Sequence, residues 1–416
     1  MPNPSPKHVV IIGAGMVGLS VAWFLQEYGV NVTVFDRKGV AAGSSWGNAG
    51  WISPGLATPL PEASVLRYGI KSLLRADAPL YIPPAFDVSL VNFLVKFARR
   101  CNDRDWRRAM DAYIPLNNAA IDAFDVLHLV NSTLEVKKAP IMAAFRRRDD
   151  AKNLLEELEM INRAGQPVKT EMLGGEELRA SIPQLSSVVD FGIRIDGQRY
   201  IDPGYFTTQL GTLVESRGAT IETNKDVVSI TREGGVVAIR TADGDQISGD
   251  AAVVAVGAWM DKLAKPLGVK MSVKAGRGYS FLLPTTEAVP SPIYFPAIRV
   301  ACTPIGVNSL RVAGTMEFRK PDAKLDPARI ASIVRSSTPL LTGVDWNLKS
   351  NEWVGPRPVT ADGMPLIGES RVRGVFIAGG HGMWGITLGP ATGKLLASQI
   401  VTGDVPEEFR PFNPTR

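Results

Sequence analysis

Residues 9–25, VVIIGAGMVGLSVAWFL, compress a strand, a glycine turn and a helix into one uninterrupted stretch. This order of elements restricts what the chain can fold into more than any other feature. Val9, Val10, Ile11 and Ile12 form a β-branched run suited to a parallel strand buried on both faces. A helix over residues 16–28 follows, and then a second apolar strand, NVTVFD, over residues 31–36. Gly13, Gly15 and Gly18 stand between strand and helix in the spacing G-x-G-x-x-G, with Ala14, Met16 and Val17 in the intervening places. Gly13 permits the tight turn, Gly15 lets a pyrophosphate approach the backbone, and Gly18 lets the helix lie close to the strand. The phosphates then meet the positive end of the helix. Asp36, closing the second strand beside Arg37, is the acid that binds ribose hydroxyls and disfavours a 2′-phosphate. The unit predicts a bound dinucleotide and leaves NAD and FAD open.

Length and composition narrow the setting. At 416 residues the chain is too long for one simple core, and two domains are expected. A hydrophobic share of 45% and a charged share of 21% are those of an ordinary globular protein. The net charge of +5, with a pI near 9.1, favours anionic ligands or a negatively charged surface without implying nucleic acid. Cys101 and Cys302 are the only cysteines and lie far apart, so neither a disulfide framework nor a zinc site is expected. His8, His128 and His381 show no metal-ligand spacing, so no metal is expected either. The opening MPNPSPKH is not a secretory signal, because the apolar run behind it is already the nucleotide strand. No stretch reaches the roughly eighteen apolar residues of a membrane span. A cytoplasmic protein is expected, with peripheral contact at the inner face of the cell membrane as the alternative.

Along the chain, α/β segments recur at the start, middle and end. Residues 60–160 carry mostly helical spacing, as in EASVLRYGIKSLLR, SLVNFLVKFARR and NNAAIDAFDVLHLV. A helix over 205–218 is followed by the strands ATIET, VVSITRE, GVVAIRTAD and DAAVVAVGAW. Residues 273–354 are strand-rich with proline turns and one helix near 327–336, and the strand GVFIAGG leads to a last helix over 390–401. The class is therefore α/β, or α+β taken whole. A discontinuous Rossmann-like domain (1–59, 201–272 and 355–416) interleaves with a second domain (60–200 and 273–354) of mainly antiparallel sheet and helices.

Two further segments bear on the ligand. AAGSSWGNAG, residues 41–50, occupies a place where a plain NAD fold has another helix, and its small residues suit a loop laid along a phosphate or a flat ring. GGHGMWGITLGPATGKLL, residues 379–396, carries six glycines that let the main chain approach a large planar group. The helix behind it, with Pro390 in its first turn and Thr387 as a cap, turns its positive end toward that group. A flavin becomes anionic around N1 and C2=O on reduction, so such a helix end favours the reduced state. NAD has no such requirement.

With WVGPRPVTADGMPLIG (353–368), the chain resembles the FAD-dependent D-amino acid oxidase/dehydrogenase superfamily. The matching segments are the opening fingerprint, SSWGNAG, VVAVGAWMDKL, AGRGY, the G-x-R-P-x-T-x-D-G-x-P-x-I-G run and the final glycine loop, and they span nearly the whole chain. GNAGWISPG followed by KSLLRADAPLYIPP is similar to the bacterial D-amino acid dehydrogenase branch. The resemblance implies that residues 13–18 and Asp36 hold the ADP half of FAD. Ser44, Ser45, Asn48, Ala49 and Gly50 would line its pyrophosphate and flavin, and Gly257 joins the cofactor set. Val227 would meet adenine through its backbone, and Gly380, Gly382, Gly385, Ile386 and Thr387 would border the isoalloxazine. It places Arg357 where relatives clamp a substrate carboxylate, the alternative being a structural arginine paired to Asp362.

Tyr279, Tyr294 and Trp384 are aromatic candidates for the substrate pocket, with core packing as the competing role for each. His381 reads better as a turn residue beside the flavin than as a base, since hydride transfer from a neutral amine needs none. Arg277 reads as structural. The run KFARRCNDRDWRR (96–108) reads as a solvated helix, or else as a contact for anionic lipid with Phe93, Phe97 and Trp106 dipping in. The expected activity is oxidative deamination of a small amino acid, D-configured or a cyclic imino acid, with FAD bound non-covalently. Electrons would pass to a quinone or another non-oxygen acceptor. A glycine- or sarcosine-type oxidase releasing hydrogen peroxide is the alternative.

Overall fold

The computed structural model describes residues 5–63, 66, 80–82 and 87–416. The opening strand, His8–Ile12, lies in the middle of a six-stranded sheet, with Asn31–Phe35 and Thr220–Glu222 on one side. Ala251–Val254, Val375–Gly379 and Leu366–Glu369 follow on the other. All neighbours are parallel except the last pair. Five of these strands are buried at all but at most one residue, and Val9 to Ile12 are buried on both faces, as a parallel sheet covered by helices requires. The first helix, Met16–Glu27, packs along the last, Gly385–Thr402. Bare glycines permit the approach: a Cβ on Gly393 would lie 2.6 Å from the Ser20 carbonyl carbon, and one on Gly389 2.8 Å from Met16 Cγ.

A nine-stranded sheet forms the second layer. Its order is Ser350–Thr360, Val273–Pro284, Ser309–Phe318, Val300–Ile305, Ile293–Phe295, Ile141–Phe145, Phe191–Ile195 and Thr170–Gly174, with Leu80–Tyr81 added beside Ser309–Phe318. Pairing is antiparallel except between 293–295 and 141–145 and at Leu80–Tyr81. The strand Ser350–Thr360 belongs wholly to this sheet and runs past residue 354.

Several local expectations are corrected. Residues 141–195 supply three strands within or next to a stretch read as helical, because each is only five residues long and is bordered by helices. The last helix begins at Gly385 and not near Pro390, and the Leu388 N–H already donates to the Trp384 carbonyl at 2.8 Å. Pro390 removes only the bond back to Ile386, a loss that a helix end packed in the core withstands. Thr387 is no cap, since its hydroxyl donates to the Trp51 carbonyl at 3.0 Å. Phe93, Phe97 and Trp106 are buried and cannot dip into lipid, and Phe93 packs its ring 5.9 Å from that of Phe318. The helix read over EASVLRYGIKSLLR, and most of KSLLRADAPLYIPP, lie outside the described residues.

The glycine turn generates a test. A Cβ on Gly18 would lie 1.9 Å from the Gly13 carbonyl oxygen, whereas one on Gly15 meets only Ser45 Oγ at 3.3 Å. Gly18→Ala should therefore lose about 1–3 kcal/mol of stability, although alanine is the better helix former. Gly15→Val should melt near wild type yet purify without its cofactor. Thermal denaturation and visible absorbance of the purified variants distinguish the two effects.

Candidate active site

A cleft runs along the carboxyl ends of the parallel strands, the usual ligand position in open α/β sheets. At one end it is lined by Asp36, Arg37, Val227, Gly257 and Trp259. Gly13, Gly15, Met16, Val17, Ser44, Ser45 and Asn48 line the middle, and Arg357, His381, Gly382, Gly385 and Ile386 the far end. The fingerprint and the final glycine loop, some 360 residues apart in sequence, thus meet across one groove.

The first helix opens onto this groove without a side-chain cap and without an acid in its first turn. Only the Met16 N–H is engaged by a side chain, donating to Ser45 Oγ at 3.1 Å. The end is an anion site by geometry. Asp36 is fixed by three amides: Ala14 N–H donates to Oδ2 at 2.9 Å, and Lys38 and Gly39 N–H donate to Oδ1 at 2.8 and 2.9 Å. The last helix also presents an uncapped, acid-free N-terminus, at Gly385. Space before Gly15, an oriented acid at one end and a helix dipole at the other suit a dinucleotide with a flavin at the Arg357 end.

At the Asp36 end, the Arg37 guanidinium lies 4.1 Å above the Trp259 ring and pairs with Asp322. Asp322 also accepts the Trp259 indole N–H at 2.8 Å. It sits on a loop secured by Arg277, which donates to the carbonyls of Ala323 (2.7 Å) and Lys324 (3.1 Å). Arg277 pairs with Glu317 at 3.1 Å, and Tyr279 donates to the same carboxylate at 2.6 Å, all three fully buried. Arg277 is structural, and Tyr279 lies in the core rather than in the cleft.

The loop at 44–51 is tied to the nine-stranded sheet almost residue by residue. Ser44 Oγ donates to the Pro356 carbonyl. Arg311 donates to the carbonyls of Trp46 (3.0 Å) and Asn48 (3.2 Å), Ser280 to that of Gly47 (2.7 Å) and Thr303 to that of Ala49 (2.6 Å). Burial pushes the Arg311 guanidinium below its ordinary pKa, and Asp202 at 3.8 Å opposes this. Ala49 and Gly50 are held in the loop but do not line the cleft. Sequence reading missed Trp259, Ser280, Thr303, Arg311 and Asp322. Only Trp259 had a local signal, standing two residues after Gly257 in VVAVGAWMDKL.

Arg357 is set into the wall of the cleft. Its Nη1 donates to the Thr315 carbonyl at 3.1 Å, and among the described residues no carboxylate pairs with it. Asp362, the alternative partner, is taken by Arg416 at 3.0 Å. Burial alone pushes the Arg357 pKa down to about 10, so it stays cationic at neutral pH. His381 is buried beside it, with Nε2 3.0 Å from Thr392 Oγ1 and a pKa pushed by burial down to about 4. It is therefore neutral at pH 7.

The remaining candidates stand back from the groove. Trp384 donates to the Thr58 carbonyl at 2.7 Å, and Tyr294 sets its ring edge-on to Trp51 at 5.6 Å. Ala14, Gly18, Gly380 and Thr387 support the lining without forming it. Among the described residues no cluster of acids, histidines or cysteines could hold a metal ion. No helix there is long and apolar enough to cross a membrane.

Residues 8–399 match the FAD dependent oxidoreductase (DAO) family. The chain belongs to that family. It is an FAD-dependent oxidoreductase. It is similar to the D-amino acid dehydrogenase of Methylobacterium radiotolerans, 31% identical over 96% of this chain and 97% of the relative. The D-amino acid dehydrogenase of Cereibacter sphaeroides is 30% identical over 96% and 92%. Among solved structures, glycine oxidase from Geobacillus kaustophilus shares the fold with a TM-score of 0.75 at 19% identity, covering 100% of this chain and 99% of its own. L-proline dehydrogenase from P. horikoshii shares it at 0.69 and 17%, covering 100% and 98%.

His381 gives a pH prediction with a definite sign. Its folded pKa of about 4 lies below the ordinary 6.5, so the unfolded chain binds the extra proton between those values. Its share of stability is intact above pH 6.5 and is lost toward pH 4, by roughly 3 kcal/mol in all. Thermal midpoints of wild type and His381→Asn across this range should converge as pH falls. Parallel curves would refute the buried neutral imidazole.

Proposed function

We propose that this protein dehydrogenates a small D-amino acid, or a cyclic imino acid such as D-proline or hydroxyproline. Its electrons pass to a quinone or another non-oxygen acceptor. The observation that carries this reading is Arg357, a cation lining the cleft that has no carboxylate partner among the described residues. FAD, when bound, would supply the hydride acceptor for oxidation at Cα. Arg357 holds the substrate carboxylate in its planar fork and so aims Cα–H at the ring. The uncapped helix at Gly385 favours negative charge in front of it, and neutral His381 adds no competing cation. The imino acid formed from a primary amine leaves and hydrolyses to a 2-oxo acid and ammonia, whereas a cyclic imino acid gives a cyclic imine that keeps its nitrogen.

In this reading residues 13–18, Asp36, Arg37, Ser44, Ser45, Asn48, Val227, Gly257 and the 379–387 loop hold FAD without a covalent bond. Cys101 and Cys302 are buried away from the cleft. Segments 1–59, 201–272 and 361–416 form the cofactor domain, and 60–200 with 273–360 the substrate domain. For a membrane-borne acceptor the docking face is the outer side of the helix Val88–Arg100. There Val88, Val91 and Val95 are exposed beside Lys96, Arg99 and Arg100. Co-sedimentation with anionic vesicles, lost in Val91→Asp, checks that assignment.

The central test is Arg357. Removing one partner of a buried charge-assisted pair costs on the order of 2–5 kcal/mol. Arg357→Ala should therefore lower kcat/KM by about ten- to several-thousandfold with FAD content unchanged. Arg357→Lys should recover only part, because a point charge cannot reproduce the fork. A dye or quinone should be reduced quickly and peroxide released slowly. Comparable turnover on oxygen alone would instead establish a glycine- or sarcosine-type oxidase, and loss of flavin in Arg357→Ala would make that arginine structural.

A further inference from the structure

Three features of the nine-stranded sheet converge on the Arg357 guanidinium. By strand register Arg357 stands opposite Gly276, yet its head group leans along the neighbouring strand onto Gly278. A Cβ on Gly278 would lie 2.2 Å from Nη2, 2.3 Å from Cζ and 2.8 Å from Nη1. Gly278 does not adopt a left-handed conformation, so the space taken by the guanidinium is what calls for glycine there.

Beyond Gly278 the adjoining strand carries a bulge. Arg277 pairs with Glu317 and Tyr279 with Gly314, which leaves Thr315 and Met316 facing Gly278 alone. Bulges of this kind re-aim groups near functional sites. Thr315 takes φ +57° here, an outlier for a β-branched residue. Its buried hydroxyl also finds no partner among the described residues. Two unfavourable features thus fall on the one residue whose carbonyl receives Arg357 Nη1. Strain persists only where the surroundings impose it, and it gathers at ligand clamps.

We infer that Gly278 and Thr315 are positioning residues for Arg357: the bare Cα seats the guanidinium flat on the sheet, and the bulged carbonyl fixes one of its nitrogens. The remaining donors are thereby turned to the cleft in one orientation. This rests on the reading of Arg357 as the carboxylate anchor. It adds that anchoring depends on a seat supplied by the two neighbouring strands.

Gly278→Ala tests it in the holoenzyme, because the three atoms nearest the new methyl all belong to the Arg357 guanidinium. The variant should fold and hold FAD with an unchanged visible spectrum. For the fastest substrate of a D-amino acid panel that includes D-alanine and D-proline, KM should rise on the order of ten- to hundredfold, with kcat changing far less. In an Arg357→Ala background Gly278→Ala should add nothing further. Gly276→Ala is the control, since its methyl would meet Met316 Sδ and Val359 Cγ2, both at 2.9 Å, and not the guanidinium. An equal rise of KM in Gly276→Ala would overturn the inference, as would misfolding of Gly278→Ala. So would an unchanged KM in Gly278→Ala while Arg357→Ala raises it. An unchanged KM in Arg357→Ala itself would remove the anchor reading, and this inference with it.

Discussion

The working geometry of this protein depends on one loop, residues 44–51, being held by two sheets of different construction. On one side Ser45 receives the first amide of the opening helix. On the other, Ser280, Thr303 and Arg311 bind the carbonyls at residues 46–49. Hydrogen bonds to a charged donor contribute about 1.5–3 kcal/mol each, and more is lost when a buried partner is left unpaired. Arg311 therefore does more than fill space beneath the loop. Its grip fixes the distance between the parallel sheet, which offers helix ends to phosphate, and the antiparallel sheet, which offers Arg357. Because the loop joins the two, it would set a cofactor bound along the first sheet in register with the carboxylate that the proposed function places at Arg357.

How much of this could be read from the sequence follows from how local each signal is. The fingerprint was legible because its glycines act within one turn: Gly18 must clear the Gly13 carbonyl, five residues away, whatever the rest of the chain does. The interleaved order of segments was legible from the return of buried parallel strands in the middle and at the end. Arg357 came from a resemblance, and its surroundings now explain its position. The three short strands of residues 141–195 were not legible, since the pairing that makes them strands is supplied by segments as distant as Ile293–Phe295. Nor were Ser280, Thr303 and Arg311, whose partners in the loop lie some 230 to 265 positions away. The start of the last helix was misplaced because Pro390 is a strong local signal, while the contact that fixes Gly385 as the first turn is tertiary.

The site also concentrates unfavourable features. An arginine in the cleft wall has no carboxylate partner among the described residues, a histidine is buried neutral, and a β-branched residue is left-handed at a bulge. Other buried charges are paired, as Arg277 is with Glu317 and Arg416 with Asp362. Stability is thus given up where a ligand bearing negative charge would restore it. An amino acid carboxylate fits that description at Arg357, and a flavin that gains charge on reduction fits it before the Gly385 helix. Arg357, which has no carboxylate partner among the described residues, and the left-handed Thr315 whose carbonyl it binds are the physical reason for proposing that the oxidised substrate lies at this end of the cleft.

The most direct test of that assignment is anaerobic: the oxidised flavin is mixed with D- and L-amino acids and with the matching amines that lack a carboxylate. The account predicts that the visible flavin absorbance bleaches with a small D-amino or cyclic imino acid and persists with its decarboxylated counterpart. Bleaching by the amine as fast as by the amino acid would contradict it, as would a flavin that no amino acid reduces.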